Sequence, residues 1–177
     1  MKTQLTLAAA LAVVCLSPVT ALAHATLEVQ TAEIGSFYKG VMRIGHGCEG
    51  QATLRVDITI PEGVIAVKPM PKAGWTLTTG TSEYANSYDY YGRTLTSGVT
   101  TLTWEGSLDD AHYDEFTFRG KLAGDWDAGT AIYFPTVQTC ADGEQTWVNI
   151  PAKGQDPHAI EDPAPGLALK EAEHAHH

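Results

Sequence analysis

His24 stands directly behind the tripeptide Ala21-Leu22-Ala23, and that adjacency decides its chemistry. Residues 1–23 open with Met1-Lys2, run apolar from Leu5 to Leu16 and end on small residues. A charged start, an apolar middle and an Ala-x-Ala end form a secretory signal peptide. Cleavage after Ala23 gives a mature chain beginning His24-Ala25-Thr26-Leu27. A histidine in first position offers two nitrogens from one residue, the free α-amine and the imidazole Nδ1, which close a six-membered chelate ring. Nitrogen donors of this kind favour copper(II), which also heads the divalent affinity order. The amine, with a free pKa of about 7.7–8.0, must lose its proton to bind, so affinity falls with pH. The competing reading is a first residue that is histidine by chance.

Further groups could do chemistry. Signal removal takes Cys15 away and leaves Cys48 and Cys140. Two cysteines in an exported domain most simply form one disulfide; a thiolate metal site needs tighter spacing and a reducing compartment. His46 reads either as a secondary metal donor or as a surface histidine. His112 lies in the acidic turn Asp109-Asp110-Ala111-His112 and reads as solvated. In an extended strand Glu28 lies about 13 Å from His24, too far to share a ligand position. His174, His176 and His177 form a second place for opportunistic metal capture. The mature chain keeps only Met42 and Met70, so methionine-rich copper(I) capture is absent and the metal is expected oxidised.

The charge balance narrows the partners. Twenty-one acidic against eleven basic residues give a net charge of −10, which repels nucleic-acid phosphates and suits cations. The same balance disfavours docking on anionic lipid. No apolar segment beyond the signal approaches the length needed to span a bilayer. The mature protein is therefore expected in the periplasm or outside the cell.

The elements that must position these groups read as strands. Gln51–Ile60 is the clearest, with Ala52, Leu54, Val56, Ile58 and Ile60 on one face at period two. Pro61-Glu62-Gly63 makes a turn before Val64–Val67. Further strands are expected at Leu27–Thr31, Val41–Ile44, Lys72–Thr79, Val99–Trp104, Glu115–Leu122, Ala131–Thr139 and Gln145–Ile150. A Tyr/Asn/Ser-rich stretch occupies 82–92. Turn signals about every ten residues without a helical stripe predict an antiparallel, all-β sandwich or barrel. Trp75 and Trp104 are assigned to its core. The domain is expected over 24–151, followed by an extended, acidic, proline-rich strap and His-containing tail over 152–177, with a short helix over 166–174 as a further option.

The start His24-Ala-Thr-Leu-Glu-Val, the run RIGHGCEGQATLRVDITIPEGV (43–64), PKAGW (71–75) and CADGEQTWVNIP (140–151) together resemble the YcnI-like family of exported bacterial copper proteins. The resemblance runs in order over the mature domain. It implies a cupredoxin-like or immunoglobulin-like sandwich holding copper(II) in a single-histidine brace made by the amine and imidazole of His24. It further implies a carboxylate from Glu49 and a nearby tryptophan, Trp147, whose protonated indole is expected close to the metal without ligating it. A Cys48–Cys140 bridge would then pin the Glu49 loop. Gly45-His46 departs from the proline-containing turn of some relatives, which leaves the geometry of that loop open.

Three functions follow from these readings. The first is a non-catalytic copper(II) binder in homeostasis or trafficking, exchanging metal with another periplasmic or membrane copper protein. The second is a copper-dependent polysaccharide oxygenase, which needs a second brace histidine (His46 or His112 here) and a sugar-stacking face such as Tyr84, Tyr88, Tyr90 and Tyr91. The third is a plain sandwich used for protein contacts, in which His24 has no metal role.

Overall fold

The computed structural model describes residues 24–172, which fold into twelve strands and one 3-10 turn (Pro157–Ala159), with no α-helix among the described residues. The strands are β1 (Thr26–Leu27), β2 (Thr31–Glu33), β3 (Phe37–Ile44), β4 (Thr53–Thr59), β5 (Val64–Pro69), β6 (Thr76–Tyr90), β7 (Arg93–Leu108), β8 (Asp114–Leu122), β9 (Ala131–Tyr133), β10 (Thr136–Cys140), β11 (Gly143–Trp147) and β12 (Gly166–Lys170). A four-stranded antiparallel sheet, β1-β3-β8-β5, faces a five-stranded one, β11-β10-β4-β7-β6. A small mixed sheet, β2-β12-β9, joins them at the side. The expected β-sandwich is thus present.

Alternation explains the core. Met42, Ile44, Phe116, Phe118 and Leu122 point inward from one sheet, and Val56, Ile58, Leu102 and Trp104 from the other. Trp104 meets Phe116 edge-on across the interior, with ring centres 5.5 Å apart. Burial at about 25 cal/mol per Å2 of apolar surface is what holds the two layers together. Trp104 is fully buried and Trp75 packs edge-on against Phe116, in keeping with the core role assigned to both.

Three features depart from the sequence pattern. Leu54 is 40% exposed although Val56, Ile58 and Ile60 at the following even positions are buried. The register of β4 against β7 slips between Thr53 and Arg55, and this bulge turns Thr53 inward and Leu54 out. Lys72–Thr79 and 82–92 do not form separate elements; Thr76–Tyr90 is one strand, paired with β7 into a long hairpin. The strap expected over 152–177 is only partly a strap. Gly166–Lys170 is a strand, not a helix, lying between β2 and β9 with Leu167 and Leu169 fully buried. Two leucines at strand spacing suffice to fix it, so the folded unit runs on beyond Pro151. Among the described residues no helix is long and apolar enough to cross a membrane.

Candidate metal centre

The loop after β3 carries His46, Cys48 and Glu49. Ile44 ends β3 and the chain then makes a tight reversal: Cys48 donates its amide to the Gln51 carbonyl, and Gln51 donates back, at 3.1 and 2.9 Å. The two central residues both have positive φ, Glu49 at 50° and Gly50 at 83°, the signature of a type I′ turn. Gly50 meets that demand freely, whereas Glu49 takes a conformation that L side chains avoid. Gly47 is required for a different reason: a Cβ there would overlap the Gln51 carbonyl. The outcome is an exposed Glu49 carboxylate at the turn's crest.

Several ties hold this turn in place. Cys48 and Cys140 are disulfide-bonded, as expected, linking positions 92 apart in sequence. The Gly47 amide donates to Asp110 Oδ1 at 3.0 Å. Gln138, 1% exposed, donates from Nε2 to the His46 carbonyl at 2.7 Å and to the Thr53 hydroxyl at 2.5 Å. Gln51 clasps Asp142, receiving its backbone amide at 2.8 Å. Gln138 is absent from the residues singled out by the sequence, and Asp110 figures there only as part of the acidic turn 109–112. An uncharged polar residue at an inward position of β10 was the available signal for Gln138; nothing local marks Asp110.

His46 itself is exposed, and its Nδ1 lies 2.5 Å from the Gly47 carbonyl. A carbonyl can only accept, so this contact calls for a proton on Nδ1. That tautomer is the one in which imidazole can bind a metal through Nε2.

His24 begins the described chain, half-buried, just ahead of β1. β1 runs antiparallel to β3, with Thr26 opposite Arg43. His24 also lines a groove of about 770 Å3 between β1, Tyr133 of β9 and residues 157–166. Trp147 ends β11 opposite Thr136 and is 4% exposed, hence a core residue. Thr136 in turn touches Met42 Sδ, whose strand partner is Leu27, so Trp147 belongs to the interior beneath the β1–β3 edge. Among the described residues no three His, Cys, Asp or Glu side chains converge as a metal-holding group.

The other candidates have partners or roles of their own. Glu28 is paired with Arg43 at 2.9 Å. His112 is exposed, its amide bonded to the Asp109 carbonyl. The tyrosines do not make a flat sugar platform: Tyr84 against Tyr88 and Tyr90 against Tyr91 meet edge-on, and Tyr88 is buried with its hydroxyl on Glu62. The signal peptide, with Cys15, and His174, His176 and His177 lie outside the described residues.

The fold and its disulfide define an immunoglobulin-like β-sandwich. A family model described as "Domain of unknown function (DUF1775)" matches residues 24–169, and the chain belongs to that family. No curated protein matches the chain. Among solved structures it is similar to an uncharacterised protein from Nocardia farcinica described as having an immunoglobulin-like fold. That likeness has a TM-score of 0.57 at 23% identity and covers 83% of this chain and 98% of the other. At that identity it speaks for the fold alone.

Proposed function

We propose that this chain is an exported, non-enzymatic copper(II)-binding protein of the YcnI-like kind, active in copper homeostasis or trafficking in the periplasm or cell envelope. The observation that carries the reading is the position of His24. It is at once the first residue of the family match, the residue behind an Ala-x-Ala site, and the lead-in to β1 at the edge of the four-stranded sheet. A chain cut after Ala23 presents its α-amine and imidazole there together.

The donors suit the ion. Copper(II) takes nitrogen from amine and imidazole readily and accepts a carboxylate oxygen beside them. The α-amine adds a second nitrogen beside the His24 imidazole only once the peptide bond to Ala23 is cut, so this mode of binding depends on signal removal. Glu49 completes the set from its exposed turn, and the buried Trp147 contributes surroundings, not a bond. One histidine with its amine and one carboxylate leave positions open to water or to a donor's ligand, which suits exchange with a partner copper protein.

The test is a copper(II) titration of protein beginning at His24 beside a version carrying one extra N-terminal residue, followed by electron paramagnetic resonance. A tight, nitrogen-rich, single-equivalent signal that the extension erases is expected. His24→Ala should abolish tight binding with the fold intact, and Glu49→Gln should weaken it less. Equal binding by extended and unextended chains overturns the brace.

A further inference from the structure

The outer face of the four-stranded sheet gathers cations that the sequence scatters. Lys39 of β3 is directly opposite Arg119 of β8, and Arg119 is directly opposite Lys68 of β5. Neighbouring strands lie about 4.8 Å apart, so three like charges stand in one row, and all three side chains are exposed. Like charges directly opposite destabilise a sheet. The row is not relieved from within: the ion pairs of the described residues take up Arg43, Arg55 and Lys72. Nor do the adjoining rows, Phe37 with Lys121 and Val41 with Thr117, contain a carboxylate. The acids of this face, Glu115 and Glu28, are further along and engaged by Arg43.

Apolar side chains border the row at one end. Arg119 lies 4.5 Å over the Phe37 ring and Lys121 lies 5.5 Å over Tyr91, yet Phe37 remains 40% and Tyr91 74% exposed. Beside them a shallow depression of about 390 Å3 is lined by Phe37, Lys39, Lys170, the half-exposed Val29 and one acid, Glu33.

We propose that this face docks on an anionic bilayer surface, with Lys39, Arg119 and Lys68 over the lipid phosphates and Phe37, Tyr91 and Val29 at headgroup depth. The arrangement decides between this occupant and an acidic protein. An acidic protein would need only the cations, whereas here exposed Phe37, Tyr91 and Val29 border them, the two rings lying directly under cations of the same face. Cations and aromatic rings sharing one plane fit the membrane–water interface. The net charge of −10 does not forbid such docking, because salt screens charges beyond about 8 Å and only the apposed face is felt. The inference is independent of copper.

The experiment is co-sedimentation of metal-free chain 24–177, which carries the whole domain, with phosphatidylcholine vesicles with and without phosphatidylglycerol. Binding that requires phosphatidylglycerol and weakens with salt is expected. Each cation near the surface contributes about a fivefold factor, so Lys39→Gln/Lys68→Gln/Arg119→Gln should lower partitioning about a hundredfold. Tyr91→Ser should reduce the part that survives high salt. Lys153→Glu, outside this face, should leave binding within about twofold; an equal loss there would reduce the effect to net charge and overturn the proposal. So would binding that survives the triple substitution with the fold intact by circular dichroism, or capture of soluble polyglutamate without capture of vesicles.

Discussion

Residues 48–51 and 90–93 reverse the chain with the same backbone. Glu49-Gly50 has φ of 50° and 83°, and Tyr91-Gly92 has 54° and 74°. Each puts a side chain other than glycine, asparagine or aspartate where a type I′ turn disfavours it, at a cost of about 1–2 kcal/mol. The means of holding them differ. Tyr91 caps a hairpin of 15- and 16-residue strands, with Tyr90 paired to Arg93, and the tip is laid on the opposite sheet through Phe37 and Lys121. The turn at Glu49 has no ladder behind it, since Cys48 and Gln51 form an isolated bridge. It is held by one covalent bond and by single hydrogen bonds from Gln138, Asp142 and to Asp110. A ladder distributes strain over many residues, whereas a clasp concentrates it, so the two turns should fail under different insults.

Breaking the disulfide should have the largest effect. Cys48→Ser/Cys140→Ser is expected to cost about 2–5 kcal/mol in denaturant unfolding. Amide exchange should accelerate at Cys48–Gln51 and hardly at 90–93. Equal acceleration at both would show that the turns belong to one cooperative unit and would break the comparison.

Gln138→Leu comes next. It removes the donor to the His46 carbonyl and the Thr53 hydroxyl and should cost about 1–3 kcal/mol, chiefly by leaving the fully buried Thr53 hydroxyl without that partner. Thermal unfolding measures the loss. If copper(II) affinity at His24 falls with it, the clasp positions the metal loop as well as stabilising it.

How much of this was legible in the sequence follows from the range of each interaction. The sandwich was readable because Val56, Ile58, Leu102 and Phe116 alternate within their own strands. The disulfide was readable because an exported chain with two cysteines has one simple pairing. The long hairpin was not, since its Thr, Ser, Tyr and Asn residues face solvent on both sides and leave no period-two pattern. Asp110 and Gln138 reach Gly47 and His46 across 63 and 92 residues, a distance no local pattern encodes. The cationic row was hidden twice: Lys39, Lys68 and Arg119 become neighbours only through strand register, and the acidic total masks them.

The same substitution made in both turns sharpens the comparison. Asparagine tolerates positive φ, so Glu49→Asn should stabilise by about 1 kcal/mol while weakening copper(II) binding, because no contact beyond the turn is lost. Tyr91→Asn gives the same relief but forfeits the edge contact with Tyr90 and the Lys121 cation, worth about 0.5–1.5 kcal/mol. Its net change in chemical denaturation should lie near zero. A clear gain at Tyr91 would mean the hairpin tip is held by its ladder alone.

The smallest effect is a pH dependence confined to the hairpin. Desolvation pushes the Glu62 carboxyl up, but hydrogen bonds from the Tyr88 hydroxyl and the amides of Ala85 and Asn86 outweigh it and hold it below the ordinary value of 4.5. A carboxyl whose pKa is lower folded than unfolded stabilises above the unfolded value, and that contribution disappears as pH falls through the folded one. Lowering the pH below 4.5 should therefore loosen the seat of Tyr88 and Asn86 on Glu62 before the sandwich opens. Amide exchange at Asn86 reads this directly. It should quicken in acid in the native chain and be pH-insensitive, after correction for intrinsic exchange, in Glu62→Gln. Acceleration at Asn86 that persists unchanged in Glu62→Gln would show that another group controls the hairpin.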